Sequence, residues 1–427
     1  MNNVFIKKKF YFEVSIIISL ILYVSFFLGF FLDENATGGK VDWEYHITIV
    51  EGFNVNFKET FENYNNRHSP IFYILSSLFN FLFIVPEYTI YRFSHVSFSL
   101  FLVFFFYKCL QIKFENVNKI TLFIISSFIL LSPNFRTLSI WPQPIILGTI
   151  LLLISIFCYL KFKKNNLENK KFKYALLNTF FLILSAYISP NFSLFVIFFL
   201  YNFYIHFNLS KKLFLIILLN LALSIPAFYY LFALDKYLNF FHSVSSYGYD
   251  GYLGLSMNFS NKVLIITSII FFHILPFLAT KAFKINYNFY KKNYFSCFAI
   301  LILFSIFIYT FNFESSFGGG GIFFKISNYL LNNNIILYFF SFLGIFLIFQ
   351  LSYKNFNNFL LFLILVLLNP QLSIYHKYYD PLILILVFTI FSSKIDKSYL
   401  NNKKNIFLIG SYSLLFLILN FSKHYLD

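Results

Sequence analysis

Asp42, Glu44 and His46 alternate in the stretch Asp42-Trp43-Glu44-Tyr45-His46, and the pair Asp33-Glu34 lies shortly upstream. A carboxylate within hydrogen-bond reach of a hydroxyl takes its proton as that hydroxyl attacks an electrophilic carbon, so Asp42, Asp33 and Glu34 are the candidate catalytic bases. His46, and His68 farther along, add imidazole, and imidazole with carboxylate suits a divalent metal ion. The two histidines have no ligand spacing, and Asp42 and His46, at i and i+4, share a face only if the stretch is helical. The whole segment 33–70 holds seven carboxylates (Asp33, Glu34, Asp42, Glu44, Glu51, Glu59, Glu62) against three cations (Lys40, Lys58, Arg67).

A second set of residues carries the opposite charge. Arg67, Arg92, Arg136 and Lys377 sit in or beside aromatic, apolar sequence. That setting favours a lipid phosphate, which Arg grips with its planar fork, although such side chains also snorkel from an apolar surface to water. Arg136 belongs to Ser132-Pro133-Asn134-Phe135-Arg136, and Lys377 to Tyr375-His376-Lys377-Tyr378-Tyr379-Asp380, where His376 and Tyr378 join the candidate substrate-binding set with Glu44, His46 and His68. Gly318 to Gly321 lack the Gly-Lys-Ser/Thr ending of a nucleotide loop and read as a flexible cover over the site.

The elements that must position these residues are apolar. The chain of 427 residues is 59% hydrophobic and only 12% charged, with repeated continuous runs long enough to cross a hydrocarbon core of about 30 Å. Continuous runs point to helices, because a lipid-spanning barrel alternates. The fold class expected is therefore all-α, a polytopic helical membrane protein with no separate soluble domain. The net charge of +16 comes from Lys clusters between apolar runs, where it anchors loops to the cytoplasmic side, so nucleic acid is not an expected partner. Cys109, Cys158 and Cys297 fall in or at the ends of apolar runs and form neither a disulfide framework nor a zinc site.

Lys7 to Lys9 before the first run, and the absence of a small-residue cleavage pattern after it, make that run an uncleaved first span with a cytoplasmic N-terminus. If every later run crossed, the basic loop 161–173 would fall outside. The run 71–85, bounded by Ser69-Pro70 and Pro86-Glu87, is therefore read as an interfacial or re-entrant helix in the first outer loop (33–91). About thirteen spans remain, and most Lys and Arg then lie inside while most Asp and Glu lie outside. The segment 235–261 and the glycine loop join the outer face.

The arrangement resembles the GT-C glycosyltransferases, membrane enzymes that take sugar from a polyprenyl or dolichyl carrier at the outer face. Asp42-Trp43-Glu44-Tyr45-His46-Ile47 and His68-Ser69-Pro70-Ile71-Phe72-Tyr73 are similar to two segments of the alpha-1,2-glucosyltransferases of that superfamily, and Asp33-Glu34 resembles the acidic pair many members carry after their first span. The resemblance covers roughly the first 160 residues. It implies an inverting enzyme in which an outer-loop acid is catalytic base or metal ligand. The donor would be a lipid-linked sugar, and the acceptor a glycan, lipid or protein. The membrane would be the bacterial cytoplasmic membrane. A polysaccharide polymerase and a flippase or transporter are the alternatives, and a divalent metal is an open cofactor.

Overall fold

The computed structural model describes residues 2–64, 66, 68–79, 82, 88–234, 258–283, 285–315, 318–393 and 395–426, the side chains of 2–16 and 423–426 excepted. Arg67 and most of the segment 235–261 lie outside the described residues. Helix is the only extended regular structure among the described residues, as expected where lipid offers no hydrogen bonds to an open backbone.

Among the described residues, seven helices are long and apolar enough to cross a membrane: Thr89–Lys113, Pro144–Lys164, Pro190–Phe207, Lys211–Ala233, Phe259–Ala279, Ile335–Ser352 and Lys403–Ser422. An eighth is reached if Lys119–Leu131 and Pro133–Ile140, bent by 69° at Ser132, count as one span. Shorter apolar helices cover Ile17–Phe31, Tyr294–Tyr309 and Phe356–Leu367. Their surfaces carry many exposed Phe, Leu and Ile side chains, which is the lipid-facing pattern of a multi-pass membrane protein.

The helices that carry the site come from the first part of the chain. These are α1 (Asn2–Phe31), α2 (Gly39–Val55), α3 (Phe57–Glu62), α4 (Ile71–Ser77), α5 (Thr89–Lys113), α6 (Lys119–Ser127), α7 (Pro133–Ile140) and α8 (Pro144–Lys164). The run 71–85, read from sequence as interfacial, begins with α4, whose seven residues rise about 10 Å, and most of 80–85 lies outside the described residues. Helix α5 spans about 37 Å and carries Arg92 near one end and Lys113 at the other. Lys113 Nζ donates to the carbonyls of Thr389 (2.6 Å) and Phe391 (3.0 Å), closing the end of the apolar segment that follows Leu382.

Helix α7 is short because its sequence dictates both ends. Ser132 caps it, accepting from the Phe135 N–H at 2.9 Å, Pro133 occupies the first turn, and Pro142 and Pro144 follow its last residue. All eight of its residues are buried, so it forms the floor on which the polar loops rest. Helices α8 and Glu168–Ile188 are joined by polar contacts inside apolar surroundings. Asn178 and Ser155 exchange hydrogen bonds of 2.7 to 3.0 Å, and the Ser185 hydroxyl donates to the Gly148 carbonyl at 2.7 Å. A Cβ on Gly148 would stand 2.4 Å from Ser189 Oγ, so only glycine permits this approach.

The same constraint operates at Gly29, near the end of α1. A Cβ there would lie 2.2 Å from Glu34 Oε2 and 2.8 Å from Arg136 Nη2, because Glu34 folds back over α1 to meet α7. Both partners are almost fully buried, and removing one partner of a buried ion pair costs about 3 to 5 kcal/mol. Glu34→Gln and Arg136→Met should each lower the thermal midpoint of the purified protein sharply. Gly29→Val should do the same through steric clash, while Gly38→Ala, where a Cβ meets nothing and only the left-handed backbone at φ 75° is strained, should cost about 1 to 2 kcal/mol.

Candidate functional site

The carboxylates and cations singled out from the sequence meet as three ion pairs, each joining distant parts of the chain. Arg136 Nη2 donates to Glu34 Oε2 at 2.5 Å and its Nε to both carboxylate oxygens at 2.8 Å. Its remaining donors reach the Ser25 carbonyl (2.8 Å), the Ser25 hydroxyl and the Leu130 carbonyl (3.3 Å each), so every N–H is engaged inside the protein. In this arrangement Arg136 has no donor left for a phosphate. Trp141 Nε1 completes the cluster by donating to the Glu34 carbonyl at 3.0 Å.

Arg92 is also buried. Its Nη2 donates to Asp33 Oδ1 at 2.6 Å, its Nε donates to the Ile140 carbonyl at 3.2 Å, and its guanidinium lies 3.7 Å from the centre of the Trp141 ring. Cation–aromatic stacking and the ion pair together hold the start of the acidic loop against the C-terminal end of α7. Asp33 itself, at φ 51°, remains half-exposed.

Asp42 is about as open as Asp33 but is paired with a lysine instead of an arginine. It lies in the first turn of α2, where the helix dipole favours a carboxylate, and 43% of its side-chain surface is exposed. Helix α2 presses its apolar stripe Trp43, Ile47, Val50 and Phe53 inward, and Gly39 lets its N-terminus approach Thr137 of α7, where a Cβ would be only 2.7 Å from the Thr137 methyl. That approach brings Asp42 Oδ2 to two donors, Lys377 Nζ at 2.7 Å and Gln143 Nε2 at 3.0 Å. Oδ1 has no hydrogen-bond donor among the described residues. Burial alone would raise the Asp42 pKa. The charge and hydrogen bond of Lys377, together with Gln143 and His46, more than offset it and hold the carboxyl down to about 2. Lys377 responds in turn: burial disfavours its charge, and Asp42, with Tyr378 and Tyr375, more than offsets this and raises its pKa.

The other expected residues surround this centre unequally. His46 is buried on the same side of α2 as Asp42, but its Nδ1 is 2.7 Å from the Tyr73 hydroxyl and its ring stands edge-on to His68 at 5.4 Å. Glu44 points the other way and is exposed. No group of three or more His, Cys, Asp or Glu among the described residues is arranged to hold a metal ion, and at Asp42 an ammonium occupies the position beside Oδ2. His376 turns from the centre toward His273, with Nε2 atoms 2.9 Å apart. Burial, then His273 and Lys325, keep His376 well below the ordinary histidine pKa, so it is neutral near pH 7. Tyr378 lies beside Lys377 on the wall of a small cavity against Leu102, Phe135 and Thr149.

Three residues that sequence reasoning passed over complete the geometry. Asp380 is buried and accepts from Ser132 Oγ at 2.6 Å and Asn134 Nδ2 at 3.0 Å, fastening the Lys377 segment to the N-terminus of α7. Gln143 is the second donor to Asp42. Ile374 is bridged to the glycine loop, since Gly320 N–H donates to its carbonyl at 2.9 Å. The glycines expected to form a flexible cover are therefore pinned, with φ of 77°, 87°, 81° and 76° at Gly318 to Gly321, and a Cβ on Gly319 would stand 2.0 Å from the Ile374 carbonyl oxygen.

No protein-family model, curated protein or solved structure matches this chain. The site is thus described by its own chemistry. A partly exposed carboxylate is held by two donors on one oxygen, one of them an ammonium, over the buried helix α7.

A carboxyl whose folded pKa is depressed stabilises the fold above its unfolded pKa, and that contribution fades as pH falls through the folded value. The Asp42–Lys377 pair should therefore add its full stability above about pH 4 and lose it toward about pH 2. Thermal midpoints of wild type and Asp42→Asn, measured down that range, should converge. A constant gap would show that Asp42 is not paired as described.

Proposed function

We propose that the chain is an inverting glycosyltransferase of GT-C type that moves a sugar from a polyprenyl-phosphate carrier to a glycan, lipid or protein acceptor at the outer face of the cytoplasmic membrane. The observation that carries this reading is the Asp42 centre: a carboxylate with one oxygen unengaged, side by side with an ammonium able to meet a phosphate. In the reaction the acceptor hydroxyl oxygen bonds to the anomeric carbon and its proton passes to Asp42 Oδ1. The bond from that carbon to the carrier oxygen breaks, with the electron pair leaving on the phosphate. Lys377 faces the developing charge, which is where a fixed cation lowers the barrier. An inverting displacement needs one base; Glu34, buried against Arg136, serves as framework for it, and Asp33, half-exposed with one oxygen on Arg92, is the reserve candidate.

The topology that goes with this reading has about thirteen spans. The seven long helices, the Lys119–Leu131 half of the bent pair and the three shorter apolar helices are joined by Glu168–Ile188 and the apolar segment from Leu382, with Pro133–Ile140 in an outer connection. The first acidic loop, the Ser132 to Gln143 connection and the 375–380 segment then share the outer side, and the basic loops at 161–173 and 281–292 the inner one.

A transporter is the second reading, favoured by the 69° break beside Arg136, since broken helices with buried ionisable groups line substrate paths. It ranks below transfer because Arg136 spends its donors on Glu34 and on backbone and hydroxyl oxygens of α1 and the turn before α7.

Removal of a general base costs about 100- to 10,000-fold in rate. Purified Asp42→Asn, given a synthetic polyprenyl-phosphate sugar and an acceptor, should therefore lose at least about two orders of magnitude in turnover, while Glu44→Gln stays near wild type. Normal turnover in Asp42→Asn would remove the assignment. Movement of the lipid donor across a liposome bilayer without sugar transfer would favour the transporter. Cysteine labelling should find Asn56 and Asn166 on opposite sides, and finding them on the same side would overturn the topology.

A further inference from the structure

Asp42 presents a difficulty for any role as a base: the ammonium that marks the phosphate position also silences the carboxylate. Lys377 and Gln143 both donate to Oδ2, so the carboxylate is oriented and Oδ1 is left toward the open side, but a carboxylate paired this closely holds a proton poorly. Brønsted behaviour makes such a group an inefficient base near neutral pH. The charged and titratable groups facing it are Lys377, with Tyr375 and Tyr378 around that ammonium, and His46 on its own helix; Gln143, from the connection between α7 and α8, is neutral.

Lys377 has unused capacity. Its ammonium carries three N–H donors, of which one goes to Asp42, and the Tyr375 ring lies 5.1 Å from Nζ. An anion binding there meets a preformed charge and at the same time stands close to Asp42.

We propose that the carrier phosphate itself turns Asp42 into a competent base: an anion bound at Lys377 offsets the ammonium and adds a like charge beside Asp42, so that the carboxylate is silenced in the free protein and basic only with donor in place. This rests on the glycosyltransferase reading and adds to it a regulation of the same site. The consequence is that proton abstraction is coupled to donor occupancy. As the bond to the carrier breaks, the phosphate gains negative charge, and that charge strengthens the hold of Asp42 on the incoming proton. Gln143 is a positioning residue in this scheme, keeping Oδ2 fixed while Lys377 is shared.

The test reads protons rather than turnover. A short-chain polyprenyl phosphodiester, which has no titrating group of its own near pH 4, is bound to the full-length purified protein at about pH 4 in buffers of different ionisation heat, and calorimetry gives the protons taken up on binding. Wild type should take up about half a proton per phosphodiester bound. Asp42→Asn should bind without uptake, and Lys377→Met should bind about tenfold or more weakly. Binding by wild type with no proton uptake overturns the inference and leaves the transferase reading standing. Uptake that persists in Asp42→Asn, or unweakened binding by Lys377→Met, also overturns it. Failure of wild type to bind the phosphodiester at all overturns the transferase reading and the inference with it.

Discussion

The burial of Glu34 against Arg136 is the constraint from which the rest of the site follows. Two charges taken out of water together must find nearly all their partners inside the protein, and here they do so only because α1 ends beside α7 and Gly29 leaves room for the carboxylate. Once this pair is formed, the acidic loop starts at a defined point over α7. Arg92 then repeats the fastening one residue earlier, stacking on Trp141 while it holds Asp33. Helix α2 has little freedom left, and Gly39 brings its first turn down onto Thr137.

Helix α7 thereby serves both ends of the chain. Its N-terminus receives Asp380 through Ser132 and Asn134, and its C-terminal connection supplies Trp141 and Gln143 to the acidic loop. Asp42 and Lys377, 335 positions apart in sequence, face each other because both of their segments are docked on the same eight residues. The pinned glycines at 318 to 321 add a third support behind Ile374. A site assembled this way is held by contacts from several parts of the chain while two of its carboxylates, Asp33 and Asp42, stay partly exposed.

The helical membrane class was legible from the length and continuity of the apolar runs, and the charged residues worth examining stood out because the rest of the chain is so apolar. The pairing was not legible. Asp33, Glu34 and Asp42 look alike as loop acids, and Arg92, Arg136 and Lys377 look alike as cations near aromatics, yet the fold buries Glu34 with Arg136, buries Arg92 while leaving Asp33 half-exposed, and leaves both Asp42 and Lys377 partly exposed, differences that no local pattern encodes. Asp380 had a signal that was passed over, since it is an acid immediately before Pro381 at the head of an apolar run, next to His376 and Lys377. Gln143 had almost none, because in a chain rich in Asn and Ser a single amide carries little information until its partner is known, and Ser132 and Asn134 stood in the Arg136 segment without any sign that Asp380 is their partner. Glycine misled in the opposite direction: four in a row read as mobility, whereas their positive φ values and the close approach to Ile374 make them a fixed contact.

The contrast between Arg136 and Lys377 explains why one cation is framework and the other is suited to a ligand. A guanidinium with many donors in a fixed plane is satisfied by saturating it, and α1, the turn before α7 and Glu34 do so. An ammonium on a flexible stem with one bond to Asp42 keeps donors in reserve while remaining charged. Burial also acts on the two centres in different ways. At Glu34 it makes separation of the pair prohibitive, whereas at Asp42 the partial exposure lets another anion compete for the same cation. The one fully buried pair, Glu34 with Arg136, thereby fixes the start of the loop that carries both partly exposed carboxylates, Asp33 and Asp42.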